Sequence, residues 1–127
     1  MADLTTVDGF HMVFDPSNVL EVSDHDPVSG EAVTCVYGVT AAYVRIAESV
    51  AAFLARIGVA AGFAKLTRPS GFPVWLNAKA VGLIRAPAPG EYVGGVQAVI
   101  GVGGLTLGVR ETVAAATAAI NACGGKL

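Results

Sequence analysis

The polar residues that could carry chemistry are concentrated in one segment, Asp24–Glu31. This segment contains Asp24-His25-Asp26, followed by Ser29 and Glu31. Carboxylates two residues apart in a loop can supply oxygen ligands to a divalent cation. The segment nevertheless lacks the further Asp or Asn, and the closing bidentate Glu, that a calcium loop requires. We therefore expect a solvated surface loop here and predict no metal site.

The cysteines and histidines do not form a recognisable nucleophilic site. Cys35 lies in the same half of the chain as His11 and His25, but at the spacing of no thiol-enzyme motif. No Ser or Cys near His11 has the sequence context of an activated nucleophile. Neither Cys35 nor Cys123 has a partner at metal-finger spacing. We expect free buried thiols, with a disulfide between subunits as the alternative, and predict no catalytic residues.

A glycine-rich stretch, Gly101-Val102-Gly103-Gly104, is the only segment that could be mistaken for a phosphate loop. It matches neither the GxGxxG nor the GxxxxGK spacing, and the residues after it are typical of a strand rather than a helix. A hairpin turn explains the glycines, so the sequence predicts no cofactor-binding residue and no cofactor.

Composition excludes nucleic acid and favours protein partners. The 127 residues include 8 Lys and Arg against 10 Asp and Glu, which gives no basic surface for a phosphate backbone. Charged residues make up 14% and hydrophobic residues 54% of the chain, and a monomer of this size cannot bury so much apolar material. The apolar stretches Val50–Ala64 and Val96–Val109 are short, and Arg56 or several glycines interrupt them. We predict self-association and no membrane insertion.

The elements that must position these residues come from an internal duplication. Residues 2–57 recur as residues 64–120, with an offset of 62 that becomes 63 after the Asp24–Glu31 segment. We expect repeat 1 at residues 1–57, a short linker at 58–62 and repeat 2 at 63–127. The residues of the first copy that recur are Ala2, Leu4, Thr5, Gly9, Phe10, Val19, Pro27, Val33, Val36, Gly38, Val39, Glu48, Val50, Ala51, Ala52, Ala55 and Ile57.

Each copy is predicted to contain short strands followed by one helix. Asp8-Gly9 and its counterpart Ser70-Gly71 favour tight hairpins, because glycine readily adopts positive φ. Residues 15–18 and 77–80 should form polar corners. The predicted strands are Asp3–Val7, Phe10–Phe14, Val19–Ser23, Ala32–Tyr37 and Ala42–Ile46 in the first copy, and Val81–Arg85, Gln97–Ile100 and Leu105–Val109 in the second.

The two helices are predicted at residues 49–57 and 112–123. Ser49 and Thr112 are suited to capping them, and a glutamate precedes each cap. Val50, Phe53, Leu54 and Ile57 fall at helical spacing and form one apolar face. The fold class we predict is therefore α+β, with two tandem repeats, each a small antiparallel unit of four to five short strands followed by one helix, packed as a pseudo-dimer.

The second copy contains a distinctive set of residues: Lys65-Leu66-Thr67-Arg68, Gly71, Trp75-Leu76-Asn77, Val81, Ile84 and Val109-Arg110-Glu111-Thr112-Val113. With this pattern the second copy resembles the small flagellar FlbD/SwrD-type proteins and similar short phage proteins of unassigned role. The resemblance implies a non-catalytic accessory of a large machine and supplies no catalytic residues. This chain differs from that pattern in being duplicated, in having longer loops and in carrying fewer charges.

These observations predict a structural or assembly protein present in many copies, most simply a phage virion component such as a decoration or cement protein. An accessory of a flagellar machine belongs to the same class. A small-molecule or metal-binding module, with its site between the two repeats, is the alternative from another class. A small enzyme using Cys35 or the Asp24–Asp26 loop is the least favoured reading. No secretory signal is recognised, so we expect the protein in a virion or a cytoplasmic assembly.

Overall fold

The computed structural model of this protein describes residues 1–92 and 94–127. The described part of the chain is α+β, with ten strands that pair antiparallel and two α-helices. The chain divides into two compact units, Met1–Ala60 and Ala61–Leu127. Each unit has the same order of elements: two strands, a 3-10 turn, three strands and a helix.

The first unit begins with a two-stranded hairpin. Its elements are β1 (Ala2–Thr5), β2 (His11–Phe14), a 3-10 turn (Pro16–Asn18), β3 (Glu21–Ser23), β4 (Thr34–Tyr37), β5 (Tyr43–Ile46) and α1 (Val50–Arg56). β1 pairs with β2, and we call residues 2–14 the first hairpin. β4 lies between β3 and β5, and a single bridge between Thr6 and Ile46 joins the end of the first hairpin to β5.

The second unit repeats this arrangement with longer strands. Its elements are β6 (Phe63–Thr67), β7 (Pro73–Asn77), a 3-10 turn (Ala78–Ala80), β8 (Val81–Arg85), β9 (Ala98–Val102), β10 (Leu105–Val109) and α2 (Val113–Ala122). β6 pairs with β7, and β9 lies between β8 and β10. A short 3-10 turn, Ala60–Gly62, lies where the two units meet in the sequence.

The first turn of each unit has the same hydrogen bonds at equivalent residues. In the first hairpin the Gly9 amide donates to the Thr6 carbonyl at 2.9 Å, and the Thr6 amide donates to the Phe10 carbonyl at 2.8 Å. In the second unit Gly71 and Arg68 form the same two bonds at 2.9 Å. This is a three-residue loop in which only the glycine needs a positive φ, which is +91° at Gly9 and +95° at Gly71. The expected glycine-dependent hairpin is confirmed, but the predicted two-residue Asp8-Gly9 turn between strands Asp3–Val7 and Phe10–Phe14 is wrong. The loop includes Val7, and Asp8 does not adopt a positive φ.

The helices begin and end as their capping residues require. The hydroxyl of Ser49 accepts from the Ala52 amide, and that of Thr112 accepts from the Ala115 amide. Both helices end at a glycine with positive φ, Gly58 and Gly124, where the following backbone amide bonds back to the last turn. The predicted helices therefore differ from the observed ones only by the capping residues.

The polar corners at residues 15–18 and 77–80 are short 3-10 turns. Asp15 accepts from the Ser17 amide at 2.9 Å, and Asn77 accepts from the Lys79 amide at 3.2 Å. These equivalent side chains thus close the same turn in both units. The strands that follow were predicted well in the second unit, where β8 and β10 have the predicted ends. In the first unit β3 begins at Glu21, two residues later than predicted, although the Leu20 amide already donates to the Tyr37 carbonyl at 2.9 Å.

Equivalent positions supply the core of each unit. Leu4, Val36 and Ile46 are buried in the first unit, as are their counterparts Leu66, Val99 and Val109 in the second. The helices differ more: α1 buries Val50, Phe53 and Leu54, whereas α2 buries only Ala116 and Ile120. Among the described residues, neither helix is long and apolar enough to cross a membrane.

Candidate functional site

The Asp24–Glu31 segment is built around one buried carboxylate. One carboxylate oxygen of Asp26 accepts from the backbone amides of Val28 and Ser29, at 2.8 and 3.0 Å. The Tyr43 hydroxyl donates to the same carboxylate at 3.1 Å. The side chain of Asp26 is only 6% exposed. The expectation of a solvated loop is therefore wrong at this residue, because the fold turns Asp26 inward to hold the loop against β5.

The hydrogen-bond donors around Asp26 set its acid–base properties. The amides of Ser29 and Val28 lower the pKa of the Asp26 carboxyl, and the Tyr43 hydroxyl and Arg45 charge lower it further. In the other direction, burial and the bond to Asp26 raise the pKa of the Tyr43 phenol. Asp26 is thus ionised and Tyr43 is protonated at neutral pH. The pair forms a stable contact and does not include a group poised for proton transfer.

The rest of the loop is closed by ion pairs and short-range hydrogen bonds. Arg45 pairs with Glu31 and lies with its Nε 3.6 Å from the Asp26 carboxylate. An Asp24 carboxylate oxygen lies 2.8 Å from Nδ1 of the His25 imidazole. Within residues 1–92 and 94–127, no group of three or more His, Cys, Asp or Glu side chains is placed to hold a metal ion. The acidic residues of this segment stabilise the loop.

His11 belongs to a second polar cluster, on the outer face of the first hairpin. Its Nε2 lies 2.9 Å from an Asp3 carboxylate oxygen, and this contact is the largest cause of the lowered pKa of Asp3. Arg56, in the last turn of α1, donates to the Asp3 carboxylate at 3.0 Å and to the Asp3 carbonyl at 2.7 Å. It also donates to both oxygens of Glu48, whose contact raises the pKa of Arg56. This cluster ties β1 to the helix.

The cysteines lie in different environments, and neither is in a disulfide. Cys35 is fully buried on β4. Cys123 ends α2 and is partly exposed, with its thiol 3.5 Å from the carbonyl oxygen of Phe63. The prediction that both thiols are buried therefore applies to Cys35 and only partly to Cys123. The β9–β10 hairpin turn consists of Gly103-Gly104, with a positive φ at Gly103, whereas Gly101 pairs with Thr106 inside the ladder, so the observed turn is two residues shorter than the predicted one at residues 101–104.

The two units differ where the last strand meets the helix, a difference that the sequence pattern did not reveal. In the second unit Glu111 accepts from the Thr67 amide and hydroxyl, both at 2.9 Å, and Arg110 donates to the Pro69 carbonyl. In the first unit the equivalent glutamate, Glu48, turns to Arg56, and a small residue, Ala47, replaces Arg110. A cavity of about 440 Å³ lies beside Ala47 in the first unit.

The first hairpin also carries the largest group of exposed apolar side chains among the described residues. Val7 is 48% exposed, Phe10 is 66% exposed and Val13 is 61% exposed. Met1 precedes them and is also exposed. A further cavity of about 420 Å³ is lined by Phe10 and Met12 of the hairpin and by residues 42–45 along β5. Phe10, which directly precedes β2, and Val13 are three positions apart, so their side chains lie on opposite faces of the ribbon. We call the exposed apolar side chains of both faces the apolar surface of the first hairpin, and such exposure is typical of a protein contact.

Comparison of this chain with protein-family models, with curated proteins and with solved structures gives no match.

Proposed function

We propose that this protein is a non-catalytic structural protein that assembles in many copies, most simply as a phage virion component such as a decoration or cement protein. A flagellar accessory, which the resemblance of the second copy suggests, would use the same surface in the same way. The observation that carries the proposal is the apolar surface of the first hairpin.

The exposure of this surface has a measurable cost. Val7, Phe10 and Val13 lie on a short ribbon rather than over a core, so folding of the first unit leaves them in water. Burying a side chain of this size is worth roughly 1.5–3 kcal/mol. Contact with another protein surface would recover much of that free energy. Charged side chains that would oppose such contact are few, since they form 14% of the chain.

The polar residues support a structural rather than a catalytic role. Asp26 is occupied by backbone amides and a tyrosine, and Arg56 by two carboxylates and a carbonyl. Groups committed in this way hold elements together and have little freedom to bind a substrate. We infer that the chemistry of these residues serves stability.

We further propose that the two units pack as a pseudo-dimer derived from a single-copy ancestor. The identical order of elements, the identical first turn and the matched helix caps support this duplication. Duplication of a self-associating unit fuses neighbouring subunits and lets their surfaces diverge, as is compatible with the symmetry of homo-oligomers. The different junctions at Ala47 and Arg110 are a divergence of this kind.

The test is the mass of the purified protein in solution, measured by light scattering over a concentration series with and without reductant. We expect a discrete oligomer or a growing polymer, unaffected by reductant because both thiols are free in this structure. Phe10→Ser should weaken the association. The matched control is Val28→Ser, because Val28 is 87% exposed but lies in the Asp24–Glu31 segment. A wild-type protein that stays monomeric at every concentration would contradict self-assembly.

A further inference from the structure

The outer edge of β2 carries unpaired backbone groups. Because Thr6 and Phe10 are hydrogen-bonded to each other, the antiparallel ladder makes Leu4 and Met12 the next hydrogen-bonded pair. Thr5 with His11, and Asp3 with Val13, are therefore the pairs whose amides and carbonyls point away from the ribbon. In the part of the chain that the structure describes, β1 and β2 form a two-stranded sheet, so these groups of His11 and Val13 have no strand beside them.

The opposite edge of the ribbon is already occupied. On β1 the carbonyl of Asp3 accepts from Arg56 at 2.7 Å, and beyond the strand the Val7 amide donates to the Arg45 carbonyl at 2.8 Å. The bridge between Thr6 and Ile46 lies on the same side. A further strand can thus add to the first hairpin only along β2, where the side chains of His11 and Val13 are exposed.

We propose that β2 pairs antiparallel with β2 of a second copy of this chain across a two-fold axis at Met12. The two residues with outward backbone groups are two positions apart, and this spacing is self-complementary. With Met12 opposite Met12, His11 of each copy lies opposite Val13 of the other, and both pairs are hydrogen-bonded. Four backbone hydrogen bonds form, and the two ribbons become one four-stranded sheet. An unprotected edge of this kind is a natural template for such pairing.

The side chains of β2 suit this register. Val13 would lie beside His11 of the second copy on the exposed face. This pair joins an apolar side chain and an imidazole, so no two like charges lie opposite each other. The Asp3 carboxylate, which lies on the same face, is already in contact with His11 of its own chain and would not face the new strand without a partner. Phe10 and Val13 are 66% and 61% exposed in the single chain and would lose solvent contact at this interface.

This inference rests on the proposed function, because it names the partner and the contact for self-assembly. It is tested by crosslinking in a Cys123→Ser background, in which the remaining thiol, Cys35, is buried. Residues directly opposite in a non-hydrogen-bonded pair have Cα atoms about 4.5 Å apart, which lies within the range that a disulfide bridges. We therefore expect Met12→Cys to form a disulfide-linked dimer under mild oxidation.

The matched control is Val28→Cys in the same background, since this exposed position lies outside the proposed interface. Crosslinking of Met12→Cys that clearly exceeds that of Val28→Cys supports the pairing. Equal crosslinking, or none, overturns it. If the wild-type protein still associates in light scattering, the assembly proposal then stands with a different interface. If the wild-type protein is also monomeric, both proposals fail.

A second variant addresses the backbone bonds directly. Val13→Pro removes the outward amide without removing a bond to β1, and proline is tolerated in edge strands. It eliminates two of the four bonds between copies, so the dimer dissociation constant should rise roughly 10- to 100-fold. Val13→Thr keeps the amide and the β-branched shape and should leave the dissociation constant within a few fold of wild type. Equal dissociation constants for the proline and threonine variants would overturn the proposed register.

Discussion

Phe53→Ala is the substitution that tests the packing of the first unit most directly. Phe53 lies in the middle of α1 and is completely buried. Its ring stacks on that of Phe14, with centroids 6.2 Å apart and planes inclined by 30°. The guanidinium carbon of Arg56 lies 5.8 Å from the ring centroid. The side chain therefore joins the helix, β2 and the polar cluster around Asp3.

The expected loss of stability follows from these contacts. Truncation of a buried phenylalanine to alanine typically costs 3–5 kcal/mol, because the transfer free energy is lost and a cavity remains. An aromatic pair contributes about 0.5–1.5 kcal/mol beyond burial. We expect Phe53→Ala to lower the free energy of unfolding by about 4 kcal/mol. The equivalent position of α2 is Ala116, also buried, so the second helix reaches its sheet without an aromatic side chain.

The assay is urea denaturation followed by far-ultraviolet circular dichroism. With a slope of about 2 kcal/mol per molar urea, the midpoint should fall by roughly 2 M. Val28→Ala is the control, since truncation of an 87% exposed side chain outside the first hairpin should change stability by less than about 0.5 kcal/mol. A loss below about 1 kcal/mol for Phe53→Ala would show that α1 does not pack on the first hairpin as described.

Two further substitutions test a turn and an ion pair. Gly71→Val should lower the free energy of unfolding by well over about 1 kcal/mol, because a β-branched residue is strained at a positive φ, which is +95° here. Gly104→Val lies outside that region of φ and should cost less in the same denaturation assay. The Arg85 contact and the Ala88 amide lower the pKa of Glu91 to about 2. Because the pKa of Glu91 is lower in the folded protein than in the unfolded chain, its ionised carboxylate stabilises the fold above the ordinary pKa of about 4.3. This contribution is lost as the pH falls toward 2. The gap in midpoint between wild type and Glu91→Gln should therefore shrink over that range.

The outcomes that would contradict these two predictions are distinct. Equal losses for the two glycine variants would mean that the conformation of Gly71 is not what the turn requires. A gap between wild type and Glu91→Gln that stays constant from pH 5 to pH 2 would mean that the contact with Arg85 contributes no pH-dependent stability.

Local signals in the sequence predicted much of the secondary structure. Gly9 and Gly71 predicted the tight turns because few other residues adopt their backbone conformation without strain. Ser49 and Thr112 predicted the helix starts because a hydroxyl there satisfies an amide of the first turn. These turns and caps depend on residues only a few positions apart, so contacts with the rest of the fold do not change them.

Contacts between distant residues were not predictable in the same way. Asp26 was expected in solvent, yet it is buried because the fold brings Tyr43 to it from 17 positions away. Glu48 and Glu111 were identified only as the glutamates that precede the two helix caps. In the structure Glu48 accepts a hydrogen bond from Arg56 and Glu111 accepts one from Thr67, although the two glutamates occupy equivalent positions.

The amino-acid sequence was enough to predict the α+β class, the glycine turns and the ends of the helices, since capping and turn chemistry act locally. Only the tertiary structure decided which polar groups are already satisfied and which edge of the first hairpin remains open. The reason is that hydrogen-bond satisfaction and solvent exposure depend on every element that folds against a residue. The same sequence pattern can form a strand whose outer edge is covered or exposed. Here Arg56 and β5 contact the outer edge of β1, whereas the outer edge of β2 has no strand beside it among the described residues.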